Sequence, residues 1–129
     1  MSQTSRQKTG TWAEELAEKF LQKAGYKTVA RNYRCKTGEV DLIVEKNGAL
    51  VFVEVRAREN EDYGNPIESL TPAKQRRIAR AAQYYLASEW KKGEPEEMRF
   101  DFIGIVFGES DEPQIEHVEN AFDLPRGMW

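Results

Sequence analysis

At 129 residues the chain has the length of one ordinary domain, enough to bury a sizeable core, and its 19 basic and 22 acidic side chains leave a formal net charge of only −3. Overall charge therefore neither demands nor forbids a polyanionic partner. One cysteine, Cys35, excludes an internal disulfide framework and a cysteine-built zinc site; one histidine, His117, disfavours Ser-His-Asp and Cys-His chemistry; and no apolar run approaches the roughly 20 residues that span a bilayer.

Residues 1–11 are polar and lack the apolar centre of a signal peptide, so a cytoplasmic protein without a membrane partner is expected, with residues 1–10 as a flexible or docking tail. Thr11-Trp12-Ala13-Glu14 fits a capping box. It predicts a helix from Thr11, with Trp12, Ala13, Leu16, Ala17, Phe20, Leu21 and Ala24 as its apolar stripe and Gly25 as its stop. Tyr26 to Cys35 reads as a strand.

Residues 38–56 then read as a β-hairpin, because Asn47-Gly48 between alternating strand-like residues signals a two-residue type I′ turn. With that turn, paired residue numbers sum to 95. Asp41 then faces Glu54 and Glu39 faces Arg56, all on one face beside Ile43 and Phe52, while Val40, Leu42 and Val44 pack with Val51, Val53 and Val55 on the other. Opposed acids with Cβ atoms about 5 Å apart repel each other, and a divalent cation would relieve the repulsion.

Residues 59–70 form a polar loop. Thr71-Pro72 then starts a helix expected to run to about Lys92, before Gly93, with Ile78, Ala82, Tyr85 and Leu86 on its apolar face and Gln75 pointing toward the sheet. Lys74, Arg76, Arg77 and Arg80 crowd this helix without an intervening acid, as a nucleic-acid-binding face would. Arg99 to Phe107 is a buried strand and Gln114 to Val118 a last one, followed by a flexible or docking tail at 123–129. That apolar tail and the exposed aromatics leave a homodimer open. The result is a single α/β domain of order α-β-β-β-α-β-β around a mixed sheet.

An Asp and a Glu on neighbouring strands with a basic residue two positions on suit a magnesium-dependent phosphodiester site. Mg²⁺ takes oxygen ligands and is commonly held by one or two carboxylates plus substrate phosphate. The pattern Gly38-Glu39-Val40-Asp41-Leu42-Ile43 followed by Val51-Phe52-Val53-Glu54-Val55-Arg56 resembles the PD-(D/E)XK nuclease superfamily, the restriction-endonuclease-like fold. More closely, the chain resembles the YraN-like family of bacterial proteins, related to archaeal Holliday-junction resolvases. Ala13-Glu14-Glu15-Leu16-Ala17, Arg31-Asn32-Tyr33-Arg34, Thr71-Pro72-Ala73-Lys74-Gln75, Arg99-Phe100-Asp101 and Asn120-Ala121-Phe122 extend the likeness over nearly the whole chain.

The resemblance implies a restriction-endonuclease-like mixed sheet flanked by helices and a metal-dependent DNA endonuclease acting with Mg²⁺ or Mn²⁺, on branched or otherwise structured DNA. It implies Asp41, Glu54 and the Val55 carbonyl as metal ligands, Glu14 as an assisting helix-borne acid, and Gln75 in the motif of the second long helix. The chain departs where the superfamily carries lysine. Arg56 stands there, and a permanently charged guanidinium holds phosphate but does not exchange a proton. The rival expectation is a non-catalytic nucleic-acid-binding or interaction module that keeps the fold.

Overall fold

The computed structural model describes residues 5–60, 64–108 and 112–128. The elements are α1 (Ser5–Lys23), β1 (Lys27–Cys35), β2 (Gly38–Lys46), β3 (Ala49–Arg58), a 3₁₀ turn (Pro66–Ser69), α2 (Pro72–Ser88), β4 (Glu97–Val106) and β5 (Gln114–Val118). The expected order α-β-β-β-α-β-β holds. One mixed sheet runs β1-β2-β3-β4-β5, with β3 and β4 parallel and the other neighbours antiparallel. Its one parallel pair needs a long crossover, and α2 lies within it.

α1 starts at Ser5, so Thr11 lies inside the helix and does not cap it. Arg6, Gln7 and Lys8 are good helix formers, and they carry the helix upstream of the apparent capping box. Of the expected N-terminal tail, residues 5–10 are helical and residues 1–4 lie outside the described residues. Glu14 is thereby released from any end-capping duty. At the other end Gly25, at φ +98°, lets its own N–H reach the Gln22 carbonyl while the Tyr26 N–H reaches that of Leu21, a Schellman closure. Ala13, Ala17 and Leu21 are buried on the sheet, whereas Trp12 is 52% exposed and stacks on Phe107 with ring centroids 5.0 Å apart.

Thr71 caps α2 by accepting the Lys74 N–H, with Pro72 in the first turn. The helix ends at Ser88, four residues short of the expected Lys92, as the Glu89 and Trp90 N–H groups both fold back onto the Tyr85 carbonyl. That brings the Trp90 indole beside the Tyr85 ring, at 6.4 Å between centroids. Packing of one large aromatic thus wins over continued helix.

The hairpin turn forms as expected, Asn47 and Gly48 both adopting positive φ (51° and 86°), and the ladder from Leu42↔Val53 to Lys46↔Ala49 keeps the expected register. β3 is buried on both faces. α2 covers Ile43, Leu50 and Phe52 on one side, and α1 covers Leu42, Val44, Val51, Val53 and Val55 on the other. Val40 departs from its expected face and packs in the α2-side core. Near it, at Gly38, a Cβ would sit 2.1 Å from the Arg77 carbonyl oxygen, so the start of β2 lies flush on the α2 backbone.

A second polar cluster ties the far end together. Asp101, 1% exposed, accepts hydrogen bonds from Arg99 Nε (2.9 Å) and Nη2 (2.8 Å) and the Asn120 N–H (3.0 Å), and contacts His117 Nε2 at 2.7 Å. Arg99 Nη2 also donates to Tyr26 Oη at 2.6 Å. The C-terminal segment docks on its own domain: the Ala121 N–H bonds the Phe100 carbonyl, Phe122 stacks on Phe100, and Gln83 Nε2 donates to the Met128 carbonyl. Trp129, like residues 61–63 of the long loop and 109–111 of the last acidic one, lies outside the described residues.

Candidate active site

β2 and β3 part beyond Leu42↔Val53, and the candidate site occupies the fork. Asp41 and Glu54 are not ladder partners, contrary to the simplest reading of the hairpin. Instead Asp41 Oδ2 accepts the Val55 N–H at 2.8 Å, replacing a strand-to-strand bond with a side-chain one. A strand residue directs its N–H and carbonyl to the same side, so the Val55 carbonyl also faces the fork.

The two acids nevertheless converge. Glu54 is 7% exposed and lines the same cleft as Asp41, whose carboxyl group acts directly on its own. Burial first, then the Asp41 carboxyl beside it, push the Glu54 carboxyl up to about 9, against the opposing pull of Arg56. The pair therefore keeps a proton that a cation could replace.

A cleft of about 140 Å³ opens above them, lined by Glu14, Asn32, Arg34, Glu39, Val40, Asp41, Glu54, Arg56, Lys74, Arg77 and Ile78. α1 contributes Glu14, whose carboxyl is raised by burial and by Asp41, while Asn32, Arg34 and Arg56 pull it down. Arg56 Nη2 lies 3.2 Å from Glu54 Oε2, and Lys74 Nζ approaches the same oxygen at 4.0 Å. Among the described residues the buried Arg56 Nε has no hydrogen-bond partner, a donor left over for something else. Glu39 does not pair with Arg56 as expected; with the strands diverging it meets Arg34 (3.5 Å) and Arg77 (3.4 Å) instead.

Of the expected site residues, Asp41, Glu54, Val55, Arg56, Glu14, Lys74 and Arg77 come together at the fork. Gln75 does not line the cleft; its amide nitrogen donates to the Leu70 carbonyl at 3.0 Å, closing the start of α2. Arg76 and Arg80 are exposed on α2 outside the cleft. Sequence reasoning missed Asn32 and Arg34 as cleft residues, though the Arg31-Asn32-Tyr33-Arg34 segment of β1 that carries them was one of the signals of the resemblance. A larger cavity of about 510 Å³ lies beside the 3₁₀ turn, and among the described residues Glu116 is the one charged side chain that lines it.

The donor set suits a hard divalent cation. Asp41, Glu54 and the Val55 carbonyl offer oxygen only, and Mg²⁺ commonly uses just one or two carboxylates with water filling the rest. Among the described residues no three His, Cys, Asp or Glu side chains gather into a preformed cage, so Glu14 stands near the pair without completing one.

An open mixed sheet with two flanking helices and a paired-acid cleft ringed by arginine and lysine describes the class of this α/β protein. A family model described as uncharacterised protein family UPF0102 matches residues 13–105, and the chain belongs to that family. Similar relatives are the UPF0102 protein of Desulfosudis oleivorans, 46% identical over 118 residues (92% of each chain), and that of Saccharophagus degradans, 47% identical over 116 residues (90% of this chain and 93% of the relative). A UPF0102 protein of Symbiobacterium thermophilum is 43% identical over 115 residues, covering 89% of this chain and 96% of its own. Among the described residues no helix is long and apolar enough to cross a membrane.

Proposed function

We propose that this protein is a metal-dependent endonuclease of the PD-(D/E)XK type that hydrolyses phosphodiester bonds in DNA with Mg²⁺ or Mn²⁺. The observation that carries the reading is the Asp41–Glu54 carboxyl pair, a buried Glu54 beside a half-buried Asp41 at the strand fork, in a cleft shared with four cationic side chains. Two acids so placed destabilise the fold unless a proton or a cation joins them, and such expense is typical of sites selected for chemistry.

Asp41, Glu54 and the Val55 carbonyl would hold the ion, which when bound activates water and neutralises charge growing on phosphate. Arg56 is the phosphate clamp. Its buried Nε has no hydrogen-bond partner among the described residues, and its planar fork matches phosphate oxygens. It supplies no general base. Lys74, arriving from α2 beside the same Glu54 oxygen, brings an ammonium close to where the superfamily carries lysine. Arg34 and Arg77, both paired with Glu39 in the cleft lining, would receive backbone phosphates when Glu39 releases them.

The test is incubation of linear, flapped, single-stranded and four-way DNA with the protein and Mg²⁺ or Mn²⁺, alongside Asp41→Ala and Glu54→Ala. Cleavage by the wild type that both variants lose supports the reading. DNA binding without cleavage under either metal, unaffected by metal, would leave a non-catalytic binding module, the reading that Arg56 in place of lysine favours.

A further inference from the structure

Asn32 sits in the middle of β1 with φ +48°, the left-handed region that strand residues avoid and that no turn requires at this point. Its side chain lines the cleft. With the amide nitrogen turned toward α1, Asn32 donates to both carboxylate oxygens of Glu14, at 3.3 Å to Oε1 and 3.0 Å to Oε2. The opposite orientation would set an amide oxygen against a carboxylate, so the nitrogen is the atom that faces Glu14.

A non-glycine residue held in left-handed geometry costs free energy, and such outliers persist where the surroundings or the function require them. Here the outlier coincides with a contact to an acid. Glu14 is half-buried on α1 and lines the same cleft as Asp41, Arg34 and Arg56. The backbone twist at Asn32 turns a short, rigid amide from the strand toward the helix.

We propose that Asn32 is a positioning residue that holds the Glu14 carboxylate toward Asp41, so that Glu14 acts as an outer oxygen partner of the ion held by Asp41 and Glu54. The inference rests on the metal-dependent nuclease reading and extends it to a residue that acts through Glu14. Partners of this kind typically govern metal affinity or activity by about 10–100-fold when removed.

The decisive variant is Asn32→Gly, because glycine accepts positive φ freely, so the substitution removes the side chain with its amide without straining the backbone. Mn²⁺ affinity of the wild type, Asn32→Gly, Glu14→Ala and the double variant is measured by titration calorimetry, with the melting temperature in EDTA and DNA cleavage taken in parallel. Asn32→Gly is expected to melt at or above the wild-type temperature in EDTA while losing about tenfold or more in Mn²⁺ affinity or cleavage. In the Glu14→Ala background the same change is expected to add nothing, since residues acting as one unit are non-additive. Wild-type metal affinity and cleavage in Asn32→Gly, or two single losses that multiply in the double variant, would overturn the role of Asn32 and leave the nuclease reading standing. A wild type that neither binds Mn²⁺ nor cleaves DNA would overturn both.

Discussion

Asp41 takes the backbone N–H of Val55 with one carboxylate oxygen while its carboxyl group meets that of Glu54, so a single side chain both ends a strand ladder and opens a site. The hairpin up to Leu42↔Val53 is ordinary; one residue further the backbone partner of Val55 is replaced by an acid.

Metal-free protein is expected to lose stability as pH rises from about 4.5 to about 9. The Glu54 carboxyl is raised from 4.5 to about 9, so between those values the folded state keeps a proton that the unfolded state has lost, and stability falls with rising pH. Mg²⁺ should flatten that slope at the alkaline end by replacing the proton, and Glu54→Gln should abolish this contribution. Urea unfolding across the range, with and without Mg²⁺, checks it; an unchanged slope in Glu54→Gln would show that Glu54 titrates normally.

Arg56→Lys is expected to retain or raise metal-dependent cleavage, since a cation beside Glu54 is preserved. Arg56→Ala should lower it by roughly 10² or more, the scale of losing one transition-state donor. Rates on the DNA panel at matched folding decide the matter, and a wild type that is silent while Arg56→Lys cleaves would mark a degenerate nuclease retained for binding.

Gly38→Ala should loosen α2 from the sheet. The added Cβ would lie 2.1 Å from the Arg77 carbonyl oxygen and 2.9 Å from the Ala81 nitrogen, both backbone atoms that cannot step aside alone. A destabilisation of about 1–3 kcal/mol is expected, the range for overpacking, with weakened DNA binding because Lys74 and Arg77 ride on the same helix. Denaturant unfolding and fluorescence anisotropy measure the two effects.

Asp101→Asn should cost about 3–5 kcal/mol by leaving Arg99 without its bidentate partner in a mostly buried setting. Burial alone would raise the Asp101 carboxyl, but the hydrogen bonds from Arg99, His117 and the Asn120 N–H outweigh it and hold the group below its ordinary 3.8. The stability it contributes is therefore complete above about pH 4 and is lost as pH falls through the lower folded value. Acid titration of wild type and variant, followed by circular dichroism, should show the wild-type advantage disappearing only in that acidic window.

Element order and the hairpin were legible in local chemistry. Asn47-Gly48 specifies its own turn, and Thr71-Pro72 its own helix start, because capping and positive φ depend on a few adjacent residues. The Thr11 motif misled for the same local reason: a capping box marks a start only where the preceding chain is not already helical, and here α1 runs back to Ser5. Asp41 and Glu54 stood out in the sequence because opposed carboxylates on paired strands are costly, although the ladder ends before them and they meet at a fork, not as strand partners.

By itself, then, the sequence determined that a mixed α/β sheet would form and that Asp41 and Glu54 would meet, since turn type, strand periodicity and charge repulsion act over short stretches of chain. Only the tertiary structure decided how the site is assembled around them. Gly38 lets α2 lie against the start of β2, Val40 changes face, Glu39 goes to Arg34 and Arg77, and Asn32 reaches Glu14 across the space between sheet and helix. Those contacts join residues far apart in sequence, and they depend on how closely two packed elements approach, a distance no local pattern carries.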